Sequence, residues 1–193
     1  MLLTPARGVQ ANIEAMSPDL PSEIVVSMND LDLRYHDLYR IDITTGERHI
    51  IQRADQETPY FLVDDSLQVR LAARLVAGGT KEILKPNSAG GWELLLRISP
   101  EDQMTTRPVG FDSTGTTVYM QDSRGRETDA LTTINLVTGG EEVIAEDDRA
   151  DLDDVLLHPR NKTVEAVSFT HDRKRWRAVD RSLGPDIEST SRC

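Results

Sequence analysis

The feature that most constrains this fold is a hairpin that the chain makes more than once. Residues 37–51 read DLYRIDITTGERHII. An alternating run at Tyr39, Ile41 and Ile43 meets the polar corner Thr44-Thr45-Gly46-Glu47, and a second run ending Ile50-Ile51 leaves it. At a distance of 93 residues, 130–144 read ALTTINLVTGGEEVI. Leu38/Leu131, Ile41/Ile134, Thr45/Thr138, Gly46/Gly139 and Ile51/Ile144 are identical, and Asp42/Asn135, Ile43/Leu136 and Ile50/Val143 are conservative replacements. Glycine returns because a short hairpin loop usually needs one residue at positive φ. A lone hairpin is at best marginally stable in water, so its return points to several small sheets that cover one another.

The interval divides in two. Gly91, within LKPNSAGGWELLL, lies 45 residues after Gly46 and 48 before Gly139. Polar turn clusters begin at Ser17-Pro18-Asp19, Asp64-Asp65-Ser66, Asp112-Ser113-Thr114-Gly115 and His158-Pro159-Arg160-Asn161, and positions 17, 64, 111 and 158 are spaced 47 apart. A β-rich run follows each cluster: EIVVSM, LQVRLAARL, TTVYMQ and TVEAVSF. The stretch RLAARLVAG (70–78) could pass for a helix, but its place in the period makes it a strand. All-β repeats of this length, with four short strands each, are the mark of propeller blades, because neighbouring blades cover the two faces of each twisted sheet. The expected fold is therefore all-β: a β-propeller of about three to four four-stranded blades of roughly 47 residues, forming an incomplete ring. Leu2-Leu3-Thr4-Pro5 aligns with a fourth strand, and WRAVDRS (176–182) with a third, followed by a corner at Gly184-Pro185. The blades are thus expected over 1–181, with 182–193 as a non-matching tail. Either the N-terminal strand closes a four-bladed ring, or the chain is part of a larger propeller. The second is favoured because a larger ring is the usual way to cover every blade.

Composition narrows the function classes. A net charge of −11 and the absence of a basic stripe with interleaved aromatics argue against nucleic acid as a partner. The densest basic stretch, Arg173-Lys174-Arg175-Trp176-Arg177, reads equally as a solvated strand edge. No apolar run approaches the ~18 residues of a membrane span, and MLLTPARGVQ lacks the charged n-region and long apolar h-region of a signal peptide, so none is expected. The single cysteine, Cys193, leaves no intramolecular disulfide, in keeping with a cytoplasmic location.

Gly110-Phe111-Asp112-Ser113-Thr114-Gly115 has one residue too many for a Gly-x-Ser-x-Gly nucleophile elbow and reads as a hairpin turn. A triad assembled from Ser113, His171 and Asp172 has nothing but residue availability behind it. His36-Asp37 invites a reading as a pH-sensitive pair, set against a histidine bonded to its local carboxylate or solvated. His158-Pro159 is read as a turn. The acidic run Glu141, Glu142, Glu146, Asp147, Asp148, Asp151, Asp153, Asp154 lacks the spacing and central glycine of a calcium loop, and is expected to be a solvated connector. Trp92 and Trp176 are expected to pack within blades, and Asn161-Lys162-Thr163 matches a glycosylation pattern without an export signal. No catalytic, cofactor or metal residue is assigned.

Four stretches resemble the N-terminal propeller of bacterial serine peptidases of the prolyl oligopeptidase family. They are GVQANIEAMSPDLPSEIVVSMND (8–30), RYHDLYRIDITTGER (34–48), GFDSTGTTVYMQDSRGRETDAL (110–131) and DVLLHPRNKTVEAVSFTHDRKRW (154–176). Leu31 and Leu33 depart from an NDRDPRYHD-like run. The resemblance implies a parent of seven or eight blades, of which about three and a half are present. It also implies a C-terminal α/β-hydrolase domain that holds nucleophile, acid and histidine, and a propeller that caps the active site. The implied partners are that domain and the parent's peptide substrates. Open blade edges add the expectation of self-association. The alternative is a stand-alone TolB-like propeller that acts as a protein-binding module.

Overall fold

The computed structural model describes residues 3–4 and 8–183. In chain order the strands are β1 (Ala11–Met16), β2 (Glu23–Met28), β3 (Asp37–Asp42), β4 (Arg48–Gln52), β5 (Tyr60–Val63), β6 (Val69–Leu75), β7 (Lys81–Pro86), β8 (Trp92–Ile98), β9 (Arg107–Phe111), β10 (Thr117–Asp122), β11 (Ala130–Asn135), β12 (Glu141–Ala145), β13 (Leu152–Leu157), β14 (Val164–Thr170) and β15 (Lys174–Ala178). They form the sheets β1-β2-β3-β4, β5-β6-β7-β8, β9-β10-β11-β12 and β13-β14-β15, each built from strands consecutive in the chain. This is the expected blade meander, with three strands in the fourth sheet among the described residues. The stretch RLAARLVAG is strand β6 and then a single 3₁₀ turn at Ala77–Gly79. The chain divides into two compact units, Met1–Arg97 and Ile98–Cys193.

Turn chemistry explains the repeat. Each of the four clusters opens the turn before the second strand of a sheet, and its first side chain holds backbone N–H groups. Ser17 Oγ accepts from Asp19 N, and Asp64 Oδ1 from Ser66 and Gln68 N. Asp112 Oδ1 accepts from Thr116 and Thr117 N, and His158 Nδ1 from Arg160 and Asn161 N. The corner before each fourth strand has its own acceptor: Asp42, Asn87 and Asn135 each take two backbone N–H groups on Oδ1. Such side chains reproduce a backbone turn. Gly46 and Gly139 take positive φ at these corners, 79° and 74°. In the middle hairpin the sequence alignment selected Gly91, but the residue at positive φ is Gly90, at 82°.

Burial follows strand alternation. In β2, Val25 and Ser27 face one side while Val26 and Met28 face the other, and all four are buried. Within the first unit, Val25, Leu38 and Leu67 join Phe61, Val63 and Val69 in a core between the first and second sheets. On the opposite face Val26, Met28, Tyr39 and Ile41 pack with Leu3 and Val9. Within the second unit, Tyr119, Leu131, Leu152, Val167 and Phe169 form the core between the third and fourth sheets. The strand aligned at Leu2-Leu3-Thr4-Pro5 is not borne out at Leu3 and Thr4, which form a bend, while Leu2 and Pro5 lie outside the described residues. The corner at Gly184-Pro185, most of the tail and Cys193 also lie outside them.

Candidate functional site

Most of the charged candidates are consumed by the fold. His171 Nε2 lies 3.4 Å from Asp147 Oδ2, in the turn between β14 and β15. Ser113 lies in the turn between β9 and β10, which shares a surface depression with Asn161 and Thr163 at the other end of β14. A strand of this length spans roughly 20 Å, so Ser113 and His171 are not brought together, and Ser113 sits in the expected hairpin turn. His158 spends Nδ1 on its own turn. Asn161 Oδ1 accepts from the Thr163 amide and hydroxyl, which makes the Asn161-Lys162-Thr163 match part of that same turn.

The acidic run is distributed over separate partners. Glu141 pairs with Arg124, Glu146 with Arg126, Asp148 with Arg149, and Asp153 and Asp154 with Lys174. Asp151 accepts the Asp129 amide at 2.9 Å. Among the described residues no group of three or more His, Cys, Asp or Glu is placed to hold a metal ion. The basic stretch forms most of β15, where Lys174 lies over Trp176 and Arg177 over Phe169. Trp92 in β8 stacks at a tilt on Phe61, with ring centroids 5.8 Å apart.

His36 departs from both sequence readings. Its neighbour Asp37 is taken up by the connection to the second sheet, accepting from Ala54 N at 2.7 Å with Arg53 3.6 Å away. His36 Nε2 is buried without a protein hydrogen-bond partner. It faces a cavity of about 270 Å³ between the first and second sheets. It is lined by Gln10, Asn12, Glu14, Ser27 and Leu38 from the first sheet and by Pro59, Tyr60 and Phe61 at the start of the second. Glu14 is the extra residue of a β-bulge, since Ile13 pairs with Val26 and Ala15 with Val25. Bulges re-aim side chains, and here Glu14 Oε1 accepts from Ser27 Oγ at 2.6 Å. Sequence reasoning missed this grouping, because its members come from β1 and the residue before it, β2, the β2–β3 loop, β3, and β5 with the residue before it.

No family model matches the chain. It is 35% identical over 186 residues to dipeptidyl aminopeptidase BIII of Pseudoxanthomonas mexicana, an alignment that covers 96% of this chain and 27% of that protein. It is 25% identical over 183 residues to dipeptidyl peptidase family member 6 of Caenorhabditis elegans, covering 90% and 25%. The chain is a relative of dipeptidyl peptidases, in keeping with the prolyl oligopeptidase family resemblance. It spans about a quarter of the length of these curated relatives. The fold also matches TolB from Acinetobacter baumannii with a TM-score of 0.60 at 13% identity, over 93% of this chain and 43% of that one. That likeness supports an incomplete propeller and, at such identity, nothing about function.

Proposed function

We propose that this chain is the non-catalytic β-propeller portion of a prolyl-oligopeptidase-like serine peptidase, capping the α/β-hydrolase domain and gating peptide substrates by size. The observation that carries the reading is the 35% identity that extends over 96% of the chain but only 27% of a dipeptidyl aminopeptidase. In this reading residues 1–181 are blades and 182–193 a tail, the location is cytoplasmic, and the hydrolase domain is the main partner. Among the described residues the outer edge of β15 has no strand partner, and it offers backbone groups for a further strand or for self-association. Among the described residues no helix is long and apolar enough to cross a membrane. The TolB likeness concerns fold alone and does not raise the binding-module alternative.

The purified chain, given dipeptidyl nitroanilides and a fluorophosphonate probe, is expected to release no nitroaniline and to take no label. A labelled serine in this chain would overturn the reading. Fused to the α/β-hydrolase domain that the family resemblance implies, it is expected to slow the turnover of long peptides relative to dipeptidyl substrates. Equal slowing of both would refute the size gate.

A further inference from the structure

The repeated hairpin lets the two units be compared residue by residue. Leu38 pairs with Ser27 and its counterpart Leu131 with Gln121, so Ser27 and Gln121 hold one position. His36 and Asp129 each stand two residues before those leucines. Glu14 and Val109 are the extra residues of matching bulges in the first strands, Val109 lying between Pro108 opposite Met120 and Gly110 opposite Tyr119.

In the second unit these positions close on the neighbouring sheet. Val109 packs into the apolar core. Gln121 Nε2 donates to Asp129 Oδ2 and to Leu152 O, both at 2.9 Å, while Leu152 N donates to Asp129 Oδ1 at 2.7 Å. The first unit has the same backbone and different chemistry. A carboxylate replaces the valine, and Ser27 bonds to it rather than to the second sheet. Imidazole replaces the second carboxylate and its Nε2 finds no protein partner. Pro59, just before the facing strand β5, has no N–H to give. Where the second unit has a polar latch, the first has a cavity of about 270 Å³.

We propose that this cavity binds a small organic cation, a guanidinium or ammonium group on a short apolar stem. Glu14 is the one charged side chain in the lining, so the site favours a cation and rejects an anion. Ser27 holds one carboxylate oxygen in place, leaving the other for a charge-assisted hydrogen bond. His36, with its proton on Nδ1, accepts a second N–H at Nε2. Leu38, Pro59 and Phe61 supply the apolar wall for the stem, and stacking or cation–π contact with Phe61 is open to a guanidinium. The ligand thereby satisfies the buried atom that the fold leaves unpartnered.

The test is a titration of the purified chain followed by histidine ring resonances in NMR, with agmatine, a Gly-Arg-Gly tripeptide and acetate as probes. A saturable shift of His36 is expected with one or both cations, without a matching shift of His49, His158 or His171. The tighter of the two cations tells a free amine or guanidine from a peptide side chain. Glu14→Gln is expected to weaken binding by about tenfold or more, and Asp148→Asn, a change at a carboxylate whose side chain is 91% exposed, is expected to leave it unchanged. Ser27→Gln, which places the residue of the second unit in the first, is expected to fill the cavity and abolish the shift. If that variant does not fold, Glu14→Gln decides. Parallel shifts of all four histidines, a response to acetate, or full binding by Glu14→Gln each overturn the proposal.

Discussion

Gln121→Ala removes the amide that ties the third sheet to the fourth. In the native chain Nε2 serves two acceptors at 2.9 Å, Asp129 Oδ2 and Leu152 O. Both residues are buried, at 1% and 3% exposure, so water does not readily replace the lost donor. An unsatisfied buried acceptor costs about 1–3 kcal/mol, with a charged oxygen at the upper end, and the pair together is worth about 2–4 kcal/mol. The assay is urea unfolding read by tryptophan fluorescence. Trp92 and Trp176 lie in different units, so a Trp92→Phe background isolates the signal of the fourth sheet. With a urea slope of roughly 2 kcal/mol/M the midpoint is expected to fall by about 1–2 M. The loss should shrink in acid. Burial already pushes the Asp129 carboxyl above its ordinary value, with Asp151 adding to the effect against the hydrogen bonds from Gln121 and Leu152. Without Gln121 it rises further. Between the unfolded and folded pKa the native state holds a proton that the unfolded state has lost, so falling pH stabilises the variant relative to neutral conditions. A midpoint shift below about 0.3 M at neutral pH, or one that grows in acid, would refute the latch.

Other expectations follow from the same contacts. Tyr39 is pushed up to about 12 by burial and then by its hydrogen bond to Asp30. Stability is therefore expected to be unchanged by this group below pH ~10 and lost as pH rises toward 12, with a late component in the 295 nm titration that Tyr39→Phe removes. For Asp64, burial opposes ionisation, but the Ser66 hydroxyl, the Gln68 amide and Arg70 outweigh it and hold the carboxyl below its usual range. Its contribution is present above about pH 4 and lost on further acidification, and Asp64→Asn should flatten that acid limb in thermal melts. Gly90→Ala is expected to cost about 1 kcal/mol, since Gly90 sits at φ 82°. Gly91→Ala should cost less, because Gly91 has no positive φ and its new methyl would meet Asn87 at an ordinary 3.5 Å; a larger cost at Gly91 in urea titrations would show that the alignment had the right glycine.

The architecture was legible because its signals are local. Alternation in EIVVSM, an Asx or Ser acceptor at the turn and a glycine at the corner each depend on a few adjacent residues, and they recur at one period. The bulges at Glu14 and Val109 were not legible, since an extra residue in a strand leaves no mark on a 47-residue spacing that already drifts by one. The same drift put Gly91 where Gly90 belongs. His36 was visible as a residue, but its state was not. Whether an imidazole is solvated, paired or orphaned depends on what a neighbouring sheet presents, and Pro59 is 23 residues away in the chain. Fates of the acidic run were unreadable for the same reason: Arg124 and Arg126 meet Glu141 and Glu146 only through the β10–β12 register.

The divergence between the two hairpins also says why the cavity persists. Substituting Asp for His36 would supply the carboxylate of the second unit, but Leu152 N has no counterpart at Pro59, and Thr58 N already donates to Asp55 Oδ1 at 2.8 Å. The first unit fixes its connection to the next sheet one residue further on, through Asp37 and Ala54 N. That bond takes over the structural task of Asp129 and leaves positions 14, 27 and 36 without a packing duty toward the second sheet. A position relieved of packing can carry a carboxylate on a bulge and an unpartnered imidazole at the cost of a buried polar atom. The cost is compensated if a ligand supplies the missing hydrogen bond. On physical grounds the two polar replacements belong together: Glu14, exposed on its bulge, brings a negative charge to the cavity that the unpartnered His36 Nε2 also faces.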